Sequence, residues 1–165
     1  MTATGRIARV GSGTEPGPLR PDEFAEFMAR PLVARMASIG DDGYPHITPM
    51  WQCWQDESVW LVSRRQSRVA AYVRSRPRVC VSVASDDLPY SRVTIYGQAT
   101  IVNPGPPSPS DWRSLLYDMA ARYLGDYDPT YASRTEGLAR WVIRVTAERV
   151  TSWRGGGWPR AHEQG

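Results

Sequence analysis

The chain contains no lysine: all 20 of its basic residues are arginine. A Schiff-base enzyme or a P-loop nucleotidase needs a lysine amine, so both are excluded. Arginine keeps its proton at neutral pH and is no general base, but its planar fork of donors grips phosphate bidentately. The basic content therefore points to anion binding rather than proton transfer. Histidine is almost as scarce, with only His46 and His162, which argues against a zinc site and against a Ser-His-Asp triad. The two cysteines, Cys53 and Cys80, fall inside strand patterns and read as reduced core residues rather than a disulfide or metal pair. No apolar run approaches the length of a membrane span, and residues 1–17 are polar and glycine-rich, without the apolar stretch of a secretory signal. A soluble, cytoplasmic protein with no membrane partner is expected.

At 165 residues one domain is expected, able to bury roughly 70% of its unfolded surface without staples. The formal charge is +3, and the arginines are interspersed with acids except between residues 64 and 78. This does not describe a nucleic-acid-binding surface.

Residues 1–20 carry Gly, Pro, Ser and Thr without a hydrophobic period and read as a flexible leader. Pro21-Asp22-Glu23 opens a helix, with proline in its first turn and acids at its positive end, and Arg30-Pro31 ends it. Residues 32–39 alternate as a strand. Asp41-Asp42-Gly43 is a hairpin signal, and residues 44–54 form the second strand, edge-like because Pro45 and Pro49 cannot donate ladder bonds. After a turn at Gln55-Asp56-Glu57-Ser58 comes a short apolar strand, 59–63. A helix follows, starting at Gln66 or Ser67 and burying Val69, Ala70, Tyr72 and Val73. Residues 78–84 alternate as a strand. Residues 90–102 form a long one in which Gly97 marks a bulge or a close backbone approach. A proline-rich linker at 104–109 precedes a helix with Trp112, Leu115, Leu116, Met119, Ala120 and Tyr123 on its apolar side. A second short helix reaches Leu138, and a final strand runs over 141–145 and 148–153. The tail, 155–165, is loop. Consecutive antiparallel strands with few helices suggest a β-barrel closed by hairpins.

Several short motifs occur together in order: Asp42-Gly43-Tyr44-Pro45, Pro49-Met50-Trp51, Ser67-Arg68, Pro77-Arg78-Val79, Gly97-Gln98-Ala99 and Arg149-Val150-Thr151-Ser152-Trp153. In this order and spacing the chain, over residues 24–153, resembles the pyridoxamine 5′-phosphate oxidase-like superfamily of FMN-binding split β-barrels, flavin/deazaflavin oxidoreductases included. The resemblance implies a mainly β fold with appended helices, a six-stranded antiparallel split β-barrel. It implies a homodimer whose domain spans 21–154 and holds FMN at the dimer interface. The implied activity is hydride transfer to or from a small conjugated or aromatic substrate. The deazaflavin coenzyme F420 is the alternative cofactor; a non-catalytic flavin or haem binder and an empty scaffold are the other readings. Two positions depart from the family pattern: Val69 stands where lysine often follows Ser-Arg, and Tyr72-Val73 where Asn-Leu often precedes the proline. No substrate-phosphate pattern of the vitamin B6 reaction is found near the C-terminus, so that reaction is not expected.

The candidate cofactor residues are Pro49, Met50, Trp51, Ser63, Arg64, Arg65, Ser67 and Arg68. The arginines supply charge-assisted donors, the serines hydroxyls, and the start of the helix free N–H groups for a phosphate. The resemblance lays Pro49-Met50-Trp51 along the cofactor ring. Trp51 and Trp54 are three residues apart, so in a strand they face opposite sides, and Trp51 is assigned to the cofactor side. His46 is read as a surface hydrogen-bonding residue in preference to a general acid. Tyr90 and Arg92 are candidates to reach the site from a second subunit, and Trp153 and Trp158 to cap a pocket.

Overall fold

The computed structural model describes residues 17–102 and 111–155. Most of the expected leader, the proline-rich linker and the tail with Trp158 and His162 lie outside the described residues. Seven strands form one antiparallel sheet: β1 (Ala34–Ile39), β2 (Pro45–Met50), β3 (Gln52–Gln55), β4 (Ser58–Arg64), β5 (Arg78–Ala84), β6 (Tyr90–Ile101) and β7 (Arg140–Gly155). Four helices accompany them: α1 (Pro21–Ala29), α2 (Arg68–Ser75), α3 (Asp111–Leu124) and α4 (Tyr131–Thr135), with a 3-10 turn at Gly125–Tyr127. The fold is mainly β, a curled half-barrel.

The strand order β2-β1-β5-β6-β7-β4-β3 has one consequence that shapes everything else. The two edge strands, β2 and β3, are consecutive in sequence and separated only by Trp51. A sheet whose opposite edges are joined by one residue must curl until those edges meet. Residues 44–54 were expected to form one strand of a six-stranded barrel. They split because Met50 registers with Ala34 of β1 whereas Gln52 registers with Leu61 of β4, so the chain changes partners at Trp51.

The concave face carries the alternating positions of each strand. Ala34, Met36, Val59, Leu61, Val81, Val83, Val93, Ile95, Ile143 and Val145 have no measurable exposure. Phe24, Phe27 and Met28 of α1 and Val69 and Val73 of α2 join the same cluster. Each of these side chains larger than alanine contributes about 1.5–3 kcal/mol by leaving water. Gly17 to Arg20, read from sequence as the end of the leader, belong to the folded unit. Gly17 and Arg154 exchange backbone hydrogen bonds of 2.8 and 2.7 Å, and Leu19 is buried. Glu23 is also buried; it accepts the Arg20 backbone N–H at 2.8 Å and pairs with Arg154 at 2.8 Å, locking the start of α1 onto the end of β7. Neither cysteine is core: Cys53 and Cys80 are free and half-buried, and Cys80 lies on the convex face, in register with exposed Tyr96.

Two turns and a bulge show the local chemistry at work. Gly40 N–H donates to the Tyr44 carbonyl at 2.9 Å, which fixes the hairpin phase: even-numbered residues of β2 turn their backbone groups toward β1 and odd-numbered ones turn away. Pro45 and Pro49 are odd-numbered, so their missing N–H groups cost the ladder nothing. In the β3–β4 hairpin both central residues, Asp56 and Glu57, have positive φ, 49° and 52°, the conformation of a two-residue hairpin turn that favours glycine at its second position. At Gly97 the β6–β7 register shifts by a bulge, and a methyl group there would overlap the Thr146 carbonyl.

Two outcomes are expected in urea unfolding. Gly97→Ala should lower stability by about 1–3 kcal/mol through overpacking against backbone. Glu57→Gly should raise it by about 1 kcal/mol, the strain of a bulky left-handed residue; a loss of stability there would contradict the turn geometry.

Candidate functional site

Where the two edges of the sheet converge they do not zip together. A cavity of about 450 Å³ occupies the opening, within the usual range of small-molecule pockets. Its walls come from three places: Thr48, Pro49, Met50 and Trp51 from the end of β2; Val62, Ser63, Arg64 and Ser67 from the end of β4 and the turn into α2; and Leu116, Met119 and Tyr131 from α3 and α4. Val33 and Arg140 complete it.

The apolar wall is fixed by aromatic contacts. Trp51 stacks on Tyr123 of α3, with centroids 5.2 Å apart and planes 14° apart, and Tyr131 of α4 leans on the same indole at 5.2 Å and 60°. The Tyr123 hydroxyl donates to the Leu32 carbonyl at 2.7 Å and accepts the Gln52 N–H at 3.1 Å. Burial pushes this phenol up from its ordinary value, with the Gln52 N–H pulling part of the way back, so the hydroxyl keeps the proton it donates. The Gln52 side chain, also buried, donates to the Met28 carbonyl at 3.1 Å. Trp54 faces the other way, edge-on to Phe24 at 5.3 Å.

The opposite end of the cavity is cationic. Arg64 and Arg140 are directly opposed in the β4–β7 register and both line the space. Like charges in that relation repel, and an anion between them reverses the sign. Ser63 and Ser67 add hydroxyls. Ser67 also caps α2, its Oγ accepting the Val69 N–H at 3.4 Å. Thr48 Oγ1, between the two ends, is buried without a hydrogen-bond partner among the described residues. A buried hydroxyl of this kind calls for one.

Six of the eight sequence candidates, Pro49, Met50, Trp51, Ser63, Arg64 and Ser67, line this one cavity. Arg65 and Arg68 do not. Arg65 is turned onto the Trp141 ring, 4.5 Å from its centroid, and Arg68, the first residue of α2, is exposed. His46 is exposed on β2, edge-on to Tyr72 at 5.3 Å. Tyr90 and Arg92 lie at the start of β6, and Trp153 pairs with Arg92 across the ladder; none of the three lines the cavity. Sequence reasoning missed Thr48, Tyr131 and Arg140. Arg140 stands one residue before the expected start of the last strand. Tyr131 was legible only as an aromatic beginning a short helix. Among the described residues no group of three potential metal ligands exists, and no helix is long and apolar enough to cross a membrane.

The cavity lies in the unclosed seam of a curled antiparallel sheet, the architecture of a split barrel. The family model for pyridoxamine 5′-phosphate oxidase matches residues 21–154, and the chain belongs to that family. Among solved structures, a conserved hypothetical protein from Mycobacterium tuberculosis is 26% identical, with a TM-score of 0.68 over 88% of this chain and 90% of that one. An FAD-binding protein from Mesorhizobium loti is 18% identical, with a TM-score of 0.59 over 84% and 96%. An F420 reductase is 23% identical, with a TM-score of 0.62 over 79% and 98%. No curated protein matches the chain by sequence.

Tyr123→Phe tests the seam. It leaves the Gln52 N–H and the Leu32 carbonyl without their partner while keeping the stack on Trp51. Stability should fall by about 1–3 kcal/mol, read by denaturant midpoint. An unchanged midpoint would show that the hydroxyl does not hold the two segments.

Proposed function

We propose that the chain is a flavin-type oxidoreductase that binds FMN in the seam cavity and moves hydride to or from a small conjugated or aromatic substrate. The observation that carries this reading is the cavity itself. One opening joins a flat aromatic and apolar wall to a pair of opposed arginines, the two requirements of a planar ring bearing a phosphate. Arg64 and Arg140 hold the phosphate by charge-assisted hydrogen bonds, with Ser63 and Ser67 completing its shell. Pro49, Met50 and Trp51 lie along the ring, and Thr48 Oγ1 gives or takes one hydrogen bond at its polar edge. Arg65 and Arg68 act from outside the cavity through charge. The cofactor, when bound, supplies the hydride chemistry. The protein orients it and excludes water through Leu116, Met119 and Tyr131. The second reading, coenzyme F420 in the same cavity, is favoured by the likeness to the F420 reductase.

The protein works as a cytoplasmic homodimer in this reading. The convex face of β2, β1, β5 and β6 presents exposed Ile39, Ile47 and Tyr96 around half-buried Ala37 and Cys80. Pro49 and Val33, at the rim of the cavity, lie beside that face. A second copy seated there covers both the apolar side chains and the opening.

Titration of cofactor-stripped protein with FMN and with F420, followed by the quenching of its tryptophans, tests the reading. One of the two should bind, and Arg64→Ala should weaken it by about 1.5–3 kcal/mol, the worth of a hydrogen bond to a charged group. Arg68→Ala should weaken it less. Binding of neither molecule would overturn the assignment.

A further inference from the structure

A second cavity, of about 590 Å³, lies between α1, the loop joining β5 to β6 and the end of β7. It shares no lining residue with the seam cavity. Two ion pairs bracket it. Arg154 Nη1–H donates to Glu23 Oε1 at 2.8 Å, tying β7 to α1. Arg30 Nη2–H donates to the Asp87 carboxylate at 3.2 Å, tying the residue after α1 to the loop. The first pair is largely buried and the second largely exposed, which sets a floor and a rim.

The walls leave hydrogen-bonding groups of both kinds unanswered. Arg154 Nε–H is buried without a hydrogen-bond partner among the described residues, and a buried donor of this kind calls for an acceptor. Ser85 and Ser91, both buried in the wall, spend their hydroxyl protons on the Asp87 and Pro89 carbonyls, at 3.3 and 3.2 Å. Toward a ligand their oxygens can therefore only accept. Glu26 also lines the cavity and takes part in none of the ion pairs among the described residues. The described lining thus sets three carboxylates, Glu23, Glu26 and Asp87, against two guanidinia, Arg30 and Arg154, one negative charge in excess. The remaining surface is apolar. Phe27 is buried, with the Arg30 guanidinium 5.8 Å from its ring centroid, and Leu88 is 68% exposed.

We infer that this cavity binds an α-ammonium group with its neighbouring carbonyl oxygen on an apolar residue, the chemistry shared by the amino end of a peptide and a free apolar amino acid. The ammonium donates to the Glu26 carboxylate and the two serine oxygens. The carbonyl oxygen accepts from Arg154 Nε–H. The apolar side chain lies against Phe27 and Leu88. Each kind of group left unanswered in the wall then meets its complement. The negative excess favours the peptide end, a net cation, over the zwitterionic amino acid. Because the two cavities share no residue, the inference does not rest on the flavin reading.

The test is calorimetric titration of the full-length protein with four probes: L-phenylalaninamide, L-phenylalanine, phenethylamine and 3-phenylpropionamide. L-Phenylalaninamide should bind. Phenethylamine lacks the carbonyl and 3-phenylpropionamide lacks the ammonium, so each should bind roughly tenfold more weakly or worse, the loss of one charged hydrogen bond. L-Phenylalaninamide binding more tightly than L-phenylalanine identifies the peptide end as the ligand; the reverse order identifies the free amino acid. Glu26 and Leu88 are exposed, so Glu26→Gln and Leu88→Ser leave the fold intact, as circular dichroism will check. Glu26→Gln should weaken L-phenylalaninamide roughly tenfold, and Leu88→Ser should weaken it as well. Failure of both L-phenylalaninamide and L-phenylalanine to bind would overturn the site. So would equal affinity for phenethylamine, or binding that Glu26→Gln leaves unchanged.

Discussion

One phenolic oxygen holds the place where the sheet's two ends meet. At Trp51 the backbone leaves the β1 ladder and joins that of β4, and the transition strands a backbone donor. The Tyr123 hydroxyl accepts it and donates in turn to the carbonyl of Leu32, on the segment entering β1. The oxygen thus connects three segments distant in sequence, while its ring supports the indole that turns the corner. Helix α3 is therefore a clamp across the seam rather than an appendage. The same contacts that close the sheet also shape the wall of the cavity, so the fold and the site share one set of constraints.

The second constraint is electrostatic. A β-sheet has no structural reason to oppose two arginines, whereas Arg20, Arg30, Arg76, Arg134 and Arg154 are matched with acids. Arg64 facing Arg140 breaks the rule of complementary cross-strand pairs, and it does so at the cavity. Local violations of otherwise consistent patterning are expected where a protein binds something. The register explains how the charge is assembled, from the end of β4 and the beginning of β7.

Much of the fold was legible in the sequence because alternation and helical spacing are local signals. Val79, Val81 and Val83 are buried as their spacing required, and Val69, Ala70, Tyr72 and Val73 form the buried face of α2. The division of residues 44–54 was not legible. Met50, Trp51 and Gln52 are all compatible with one continuous strand, and the break comes from having different partners on either side. Arg140 was missed for a related reason: its opposition to Arg64 is a matter of register between strands far apart in the chain. Gly17 to Arg20 offered Leu19 as their sole large apolar residue, too little to distinguish an anchored segment from a leader. The apolar residues of α3 were identified correctly, but nothing local said that Leu116 and Met119 would face a cavity.

The placement of two prolines in β2 has a further consequence for how the protein behaves in a crowded solution. An edge strand is a template on which another chain can grow by hydrogen bonding. On the outward side of β2, Pro45 and Pro49 occupy the positions where donors would stand, leaving the Ile47 N–H as the one outward donor of the strand. A foreign strand docking there would meet carbonyl acceptors with almost no donors to answer its own acceptors. The exposed edge is thereby a poor template for the addition of a further strand.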